Sequence, residues 1–304
     1  MLRYTLHKIR YGILTLFGVL TVVFFLFNVL PGDPARMMLD QREDSEQLSL
    51  IRKKYGFDQP IMTQYGYYLN DLSPLSIHHK DPSHYTFLNP NNYQFTRLFT
   101  LGDRVVVLKY PYLRRSFQKT DKKVTTVIGE TLPNTAVLAL SSITLAILVG
   151  IFLGILSALY KDTFVDRMIA VLSTLGMSLP SFFSAILVAW LFGFVWHRYT
   201  GLDMTGSLYE VDDFGTKTYL AWEHLILPSF VLGIRPLAVV IQLMRNSLLE
   251  VLGQDYIRTA RAKGLSTARV IRVHALKNAL NPVVTAVSGW FASMLAGAVF
   301  VEYI

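Results

Sequence analysis

The sequence predicts an all-α fold, a polytopic membrane helical bundle with five spans and an outward-facing subdomain between the first two spans. The chain has 304 residues, of which 52% are hydrophobic and only 16% are charged, and its mean hydropathy is +0.37. A soluble protein of ordinary composition has about 25% charged residues, and one soluble core cannot bury so much apolar surface. The chain has no cysteine, which excludes disulfides, thiolate nucleophiles and cysteine-ligated metals.

Five apolar segments are long enough to cross a hydrocarbon core, which takes about 20 helical residues. Four of them have no charged residue, and the remaining one has only Arg235. The first exceeds the apolar stretch of about 7–15 residues in a secretory signal and lacks an A-x-A cleavage site after it, so we expect it to remain as a helix. The predicted spans are residues 12–30, 135–159, 168–196, 225–244 and 282–301.

Lysine and arginine are distributed unequally between the short loops on the two sides of the predicted membrane. Residues 1–11, 160–167 and 245–281 together have 12 of these basic residues, whereas residues 197–224 have 2. Short cytoplasmic loops carry an excess of basic residues, while long segments are translocated largely regardless of charge. We therefore expect a cytoplasmic amino terminus, with residues 31–134 and 197–224 on the outer side.

Three parts of the chain follow from this arrangement. Residues 1–30 form the cytoplasmic amino terminus and first span, residues 31–134 an extracytoplasmic subdomain rich in tyrosine and phenylalanine, and residues 135–304 the transmembrane core. The core includes a cytoplasmic loop at residues 245–281. This loop has seven basic and two acidic residues, which gives it a net charge of +5. Such a loop suits membrane lipid or a cytoplasmic protein partner, so the formal net charge of +8 needs no nucleic acid to explain it.

The 245–281 loop is predicted to contain two short helices joined by a tight turn. Residues 255–263 are good helix formers, and Gly264 suits a left-handed helix cap because it has no Cβ. Ser266 or Thr267 can then cap a second helix over residues 268–280. This is more order than a simple connector needs.

The sequence of this loop resembles the "EAA" loop of ABC importer permeases, in which a short coupling helix docks into an ATPase subunit. Ala260, Gly264 and Leu276 fall on that pattern, whereas Arg258 or Thr259 stands at its acidic first position. Further segments are similar to the di- and oligopeptide and nickel branch of those permeases. They are PGDP at 31–34, IRKKYGFDQPIMTQYGYYL at 51–69, GETLPNTAVLAL at 129–140, SLPSFF at 178–183 and DYIRTARAKGLS at 255–266.

Two features depart from the pattern of that branch. Residues 73–110 have no counterpart in it and are expected to be an outward insertion. The family would also continue beyond residue 304 into a sixth helix, so we expect the sequence to be truncated. Pro31–Pro34 is expected to end the first helix and begin a turn.

The resemblance implies a permease subunit of an ATP-driven importer, most often of di- or oligopeptides, in a prokaryotic inner membrane. It implies a second homologous permease subunit, two ATP-binding subunits and an extracytoplasmic solute-binding protein as partners. The chain has no G-x4-G-K-[ST] phosphate-binding loop, so we expect no cofactor and no enzymatic activity in it, with ATP and magnesium on the partner subunits. The residues that the resemblance places in ATPase coupling are Arg258, Thr259, Ala260, Arg261, Gly264 and Leu265.

Arg235 and Pro180 are candidates for the translocation path. A cation facing lipid near mid-span costs at least about 2.5–3.5 kcal/mol, so we expect Arg235 to face a cavity or a partner. It would then bind a substrate carboxylate or gate the path, or else form a structural ion pair or reach one membrane face. Pro236 favours a local break in that helix. Pro180 either bends the third span for alternating access or accommodates its 29 residues within the membrane.

Other functions remain open at the level of the sequence. An importer of nickel or another small solute is one alternative, and a stand-alone secondary carrier is another. A proton-coupled carrier needs acidic residues in its spans, and none of the five predicted spans has one. A structural scaffold would not need the ordered 245–281 loop. His78, His79, Asp81 and His84 form a polar cluster that is interpreted as solvated rather than as a metal site.

Overall fold

The computed structural model of the chain forms two compact units, residues 1–130 and 131–304. Most of the described residues are helical, which confirms the predicted helical membrane fold. The predicted turn at Pro31–Pro34 lies outside the described part of the chain. The structure describes residues 2–29, 35, 45–82, 84–116, 119, 122–212 and 214–302.

In its described residues, the first unit combines three helices with a three-stranded antiparallel sheet. Its elements are α1 Leu2–Val29, α2 Ser45–Tyr55, α3 Ile61–Leu72, β1 Leu75–His79, β2 Phe95–Leu101 and β3 Arg104–Lys109. Most apolar side chains of α1 are exposed, as they are on a helix that lies in lipid. Near its end, Phe24 packs on Tyr65 and Tyr68 of α3, with ring centroids 5.2 Å apart in both pairs.

The sheet lies within residues 73–110, the insertion predicted from the sequence, and it adds β-structure to a fold predicted as all-α. β3 is the central strand and pairs with both β1 and β2. Its Val105 and Val107 are buried against Leu88 and Tyr93. The run of three valines in β3 suits a strand, because β-branched side chains pack well on a pleated surface. Three residues are too few to show in the sequence the alternation of apolar and polar side chains that predicts a strand.

The second unit contains the apolar helices of the membrane core. Its elements are α4 Val124–Leu159 (beginning ahead of residue 131), α5 Phe164–Ser178, α6 Ser181–Val195, α7 His197–Thr200, β4 Tyr209–Val211, β5 Thr218–Leu220, α8 Glu223–Leu252, α9 Asp255–Ala262, α10 Thr267–Ala279, α11 Asn281–Gly297 and α12 Val299–Glu302. In the described residues, α1, α4 and α8 are each long and apolar enough to cross a membrane. Two bent pairs, α5 with α6 and α10 with α11, raise that count to five.

The helices extend beyond the predicted spans. α4 begins at Val124 rather than at residue 135, and α8 ends at Leu252 rather than at residue 244. Hydropathy marks the segment that suits lipid, whereas backbone hydrogen bonding continues into the adjoining polar residues. The span boundaries predicted from the sequence are therefore too short at these positions.

Two prolines in the core behave differently from each other. The third predicted span is not one helix of 29 residues, because α5 and α6 meet at Leu179 and Pro180 with a bend of 110°. Both residues are extended, as a proline and the residue before it tend to be. The prediction of a helix break at Pro236 was wrong, because α8 runs through Pro228 and Pro236 without interruption. A proline inside a helix removes one backbone hydrogen bond. A break in the helix would free further backbone groups, which is costly in lipid.

Two glycines of α4 allow α8 to pack very closely. A Cβ on Gly150 would lie 2.7 Å from Cγ1 of Val240, and one on Gly154 would lie 2.6 Å from Cβ of Met244. The two glycines are one turn apart, so they form a small-residue stripe of the kind that lets membrane helices approach. At Gly154 the obstacle includes the carbonyl oxygen of Ile241, at 2.9 Å, which is backbone and cannot rotate away.

We expect Gly154→Ala to destabilise the purified protein by about 1–3 kcal/mol, the usual cost of forcing an extra carbon into a packed core. The measurement is thermal unfolding in detergent. Gly289→Ala is the matched control, because a Cβ at Gly289 of α11 meets no atom within 4 Å. Equal stability of the two variants would mean that the α4–α8 contact is not tight.

Candidate functional site

The predicted coupling segment is a short amphipathic helix that packs on the core of the second unit. In α9, Ile257 is fully buried and Ala260 is 6% exposed. Arg258 and Thr259 are exposed on the opposite face, and Arg261 is exposed at the side of the buried face. The structure therefore separates the predicted coupling residues into an exposed set and Ala260, whose methyl group joins the core.

The turn after α9 has the geometry predicted for it. Gly264 has a φ of +79°, in the left-handed region. Its N–H donates to the carbonyl of Arg261 at 2.9 Å, and the N–H of Leu265 donates to the carbonyl of Ala260. These bonds use carbonyls that the end of the helix would leave unpaired. Leu265 is half-buried and packs against the same core as Ala260.

α10 follows this turn and holds α9 in place. It begins after Ser266, at the predicted position, and runs over Thr267–Ala279 with a π-helical stretch at Val270–Ala275. The side-chain amide of Asn278 in α10 donates to the hydroxyl of Tyr256 in α9 at 2.9 Å. The two-helix prediction for this loop is thereby confirmed.

The exposed side of the two helices is strongly basic, and we call it the basic face. Among the described residues, Arg258 has Asp255 at 3.5 Å, and the other five members have no carboxylate within 4 Å. A basic surface next to apolar helices, in which most cations have no carboxylate partner, suits an acidic protein surface or anionic lipid. The basic face consists of Arg258, Arg261, Lys263, Arg269, Arg272 and Lys277.

A buried ion pair lies beside this loop, and we call it the Asp166 clamp. Asp166 of α5 is 4% exposed. It accepts two hydrogen bonds of 2.7 Å from the guanidinium of Arg245 in α8. It also accepts from the hydroxyl of Ser157 in α4 at 2.5 Å and from the N–H of Asp162 at 2.9 Å. One carboxylate thus joins α4, α5 and α8.

This clamp was not predicted from the sequence. The third span was predicted to begin at residue 168, which left Asp166 and Arg245 in loops and no acidic residue inside the spans. The helix in fact begins at Phe164, which brings Asp166 into it. Thr163 and Asp166 match the [ST]-x-x-[DE] signature of a helix start, and that signal could have placed Asp166 in the helix. No local signal pairs it with Arg245.

Arg235 and Pro180, predicted separately, lie close together. The guanidinium of Arg235 in α8 donates to the carbonyl of Leu179 at 3.0 Å, directly before Pro180. The bend releases this carbonyl from helical pairing, and the arginine satisfies it. The Nε of Arg235 is buried and has no acceptor among the described residues. Whether Arg235 faces a cavity or a partner, as expected from the sequence, stays a prediction.

The histidine cluster of the insertion is dispersed. His78 is buried, with its ring nitrogens 3.0 Å from the Ser76 hydroxyl and 3.1 Å from the Thr86 carbonyl, and burial lowers its pKa. His79 instead stacks on His84, with centroids 4.6 Å apart. In the described part of the chain, no three histidine or acidic side chains are arranged to hold a metal ion.

The second unit is thus an apolar helical unit with an ordered, basic pair of helices, as the resemblance to membrane transport subunits implies. The comparison with known families agrees. Residues 150–304 match the family described as binding-protein-dependent transport system inner membrane component, and residues 1–79 match its amino-terminal family. The chain belongs to this family, which confirms the resemblance to ABC importer permeases. It is a multi-pass membrane component of a transport system that depends on a binding protein.

Several curated relatives align with nearly the whole chain. The di/tripeptide transport system permease protein of Pseudomonas aeruginosa is 31% identical over 100% of this chain and 84% of its own length. The dipeptide transport system permease protein of Alkalihalophilus pseudofirmus is 30% identical over the same shares of the two chains. The glutathione transport system permease protein of Escherichia coli is 29% identical over 99% of this chain and 82% of its own.

We expect replacement of one member of the Asp166 clamp to be strongly destabilising. Asp166→Asn leaves the guanidinium of Arg245, whose side chain is 25% exposed, without a carboxylate, at a cost of about 1–3 kcal/mol. Thermal unfolding of the purified protein measures this loss. The double variant Asp166→Asn with Arg245→Gln should recover part of it, because neither charge is then left alone. Additive losses in the double variant would show that the two residues do not interact.

Proposed function

We propose that this chain is the pore-forming permease subunit of an ATP-driven importer that moves short peptides across a prokaryotic inner membrane. The observation that carries the proposal is the loop of α9 and α10, which is packed on the core through one face and presents the basic face on the other. A loop that only connects two spans has no need of such a surface. The relatives named for dipeptide, tripeptide and glutathione transport support peptides as the cargo.

The proposed assembly contains a second homologous permease, two ATP-binding subunits with their ATP and magnesium, and an extracytoplasmic binding protein. The excess of basic residues in the 245–281 loop supports a cytoplasmic position for it and for the amino terminus. Residues 31–134 then lie outside, as one extracytoplasmic part, and residues 135–304 form the permease core. In this arrangement the basic face meets the ATP-binding subunit.

Within the coupling loop the residues have different roles. Arg258, Thr259 and Arg261 contact the ATP-binding subunit because they are exposed on α9. Ala260 and Leu265 fix the helix to the core by packing, and Gly264 sets the direction of the chain after it. Of the six residues implied by the resemblance, three thus contact the ATP-binding subunit and three position the helix and the turn after it.

Movement of α9 would reach the membrane helices through two connections. Ile257 and Ala260 belong to the core cluster that includes Met244 and Leu248 of α8. The Asp166 clamp then joins α8 to α4 and α5. Closure of the ATP-binding subunits would move this connected group and reorient the bundle, as alternating access requires. Arg235, at the bend before Pro180, lies where a path through the bundle could open.

Reconstitution in proteoliposomes tests the proposal as a whole. This chain is incorporated with the second permease, both ATP-binding subunits and the binding protein, and uptake of a radiolabelled tripeptide is measured. Uptake should require internal ATP and every subunit. Uptake by this chain alone under an ion gradient would replace the proposal with a secondary carrier.

We expect Arg261→Glu to weaken the association with the ATP-binding subunit by about tenfold or more, because a like charge replaces a complementary one at a docking surface. Co-purification and ATP-driven tripeptide uptake should fall together. Arg198→Glu is the matched control, since Arg198 is also an exposed arginine but lies in the 197–224 segment. Full association of Arg261→Glu would remove the basic face from the interface.

We expect Gly264→Val to abolish uptake while leaving membrane insertion intact. A valine in the left-handed region costs about 1–2 kcal/mol, so the turn between α9 and α10 is redirected. Gly289→Val is the control, because Gly289 has no left-handed φ and no close neighbour. Normal uptake by Gly264→Val, at an equal protein level in the membrane, would contradict a coupling role for the turn.

A further inference from the structure

The segment that joins α7 to α8 folds back onto the ends of the helices, and we call its described residues, 202–212 and 214–222, the strap. It contains the hairpin of β4 and β5, in which Tyr209 pairs with Leu220. Residues 203–206 line a cavity of about 30 Å³ together with residues of α6, α8 and α12. The strap therefore closes one end of the gap between these three helices.

The strap rests directly on the helices at two glycines. A Cβ on Gly193 of α6 would lie 2.6 Å from the backbone nitrogen of Met204 in the strap. A Cβ on Gly206 of the strap would lie 2.4 Å from Cγ of His224 in α8. Because neither glycine has a side chain, the backbone of the strap can lie against α6 on one side and against the imidazole ring of His224 on the other.

His224, in the first turn of α8, is the side chain on which the strap closes. The side chain of His224 is 9% exposed, and its Nε2 lies 3.6 Å from Oδ2 of Asp203. Its Nδ1 lies 3.0 Å from the carbonyl oxygen of Ser207 and 3.2 Å from Oε1 of Glu210. All three partners belong to the strap. Both ring nitrogens therefore face oxygen acceptors that the strap supplies.

This arrangement fits the imidazolium form of the ring, because only that form has an N–H on both nitrogens. A neutral ring keeps one N–H. If the proton stays on Nδ1, the lone pair of Nε2 points at the carboxylate of Asp203. If the proton moves to Nε2, the lone pair of Nδ1 points at the Ser207 carbonyl and the Glu210 carboxylate. Loss of the proton thus turns one attachment of the strap into a repulsion.

The other charged and titratable groups around the ring leave this balance in place. Glu223, directly before the histidine in α8, adds a further negative charge near it. Nδ1 of His197 in α7 lies 3.6 Å from Oδ1 of Asp203, so this second histidine shares one of the carboxylates. The hydroxyl of Tyr219 donates to Oε2 of Glu210 at 2.7 Å. The residues of α6 and α12 that line the cavity are uncharged.

We propose that the strap is a pH-dependent closure, held on α8 while His224 is protonated and released as the pH rises. A group that is protonated in the held form stabilises that form at low pH, and the stabilisation is lost as the pH rises through the range in which imidazole loses its proton. In the arrangement proposed above, residues 197–224 lie on the outer side, so the strap responds to the pH outside the cell. This property goes beyond the proposed transport function, since it needs neither ATP nor the other subunits.

Electron paramagnetic resonance of a spin-labelled strap tests the proposal on the purified full-length protein in detergent. The chain has no cysteine, so Phe214→Cys, at a residue that is 87% exposed, gives a single labelling site in the hairpin. Between about pH 5.5 and about pH 8.5, the ratio of mobile to immobile label should rise by about tenfold or more, because hydrogen bonds from a charged donor are the stronger ones. Equal line shapes at both pH values overturn the proposal.

Two variants of the labelled protein identify the group that titrates. In His224→Gln the label should be mobile at both pH values, because glutamine has no charged form. His197→Gln is the matched control and should keep the pH dependence, since His197 is exposed and faces only one of the two carboxylates. A pH dependence that persists in His224→Gln, or one that is lost in His197→Gln, overturns the proposal.

A double variant covers the case in which His224→Gln fails to fold. Asp203→Asn with Glu210→Gln keeps the histidine and removes the charge of both carboxylates. The midpoint of the transition should then move to lower pH by about one pH unit, because the carboxylates no longer favour the imidazolium. An unchanged midpoint overturns the proposal. Since ATP and the other subunits are absent from these measurements, their outcome is independent of the test of tripeptide uptake.

Discussion

The buried pair of Asp166 and Arg245 is the interaction on which the second unit most depends. Lipid offers no hydrogen-bond partners, so each polar group of a membrane helix must find one within the protein. The carboxylate of Asp166 meets this requirement with a guanidinium, a hydroxyl and a backbone N–H, which come from α8, α4 and the turn before α5. Three helices are thereby fixed at the end of the bundle where the 245–281 loop begins.

The same requirement explains the different outcomes at the prolines. At Pro180 the helix ends and a new one starts at a steep angle, and the carbonyl released at Leu179 is paired with the guanidinium of Arg235. At Pro236 no second group is freed, and the helix continues. The glycine stripe of α4 then brings α8 close enough for the cluster around Met244 to reach α9. The helix α9 is therefore joined to α8 by packed side chains rather than by a flexible loop.

The first unit is stabilised by other interactions. Its polar groups can be solvated, so it is built around hydrogen bonds to Asp71, a small valine sheet and an unusual number of tyrosines. Tyrosine combines an apolar ring with a polar hydroxyl, which suits a small core.

The sequence by itself determined the membrane class, the five apolar segments, the two helices of the 245–281 loop and the left-handed turn at Gly264. These features depend on local composition, hydropathy and the backbone freedom of glycine, all of which are readable over a few residues. Only the tertiary structure decided that Ala260 is buried while Arg261 is exposed, that Arg235 reaches Leu179, and that Asp166 is paired with Arg245. It also decided the sheet of residues 75–109. Those partners are far apart in the chain, and such contacts form only when helices and strands pack, so no local pattern encodes them.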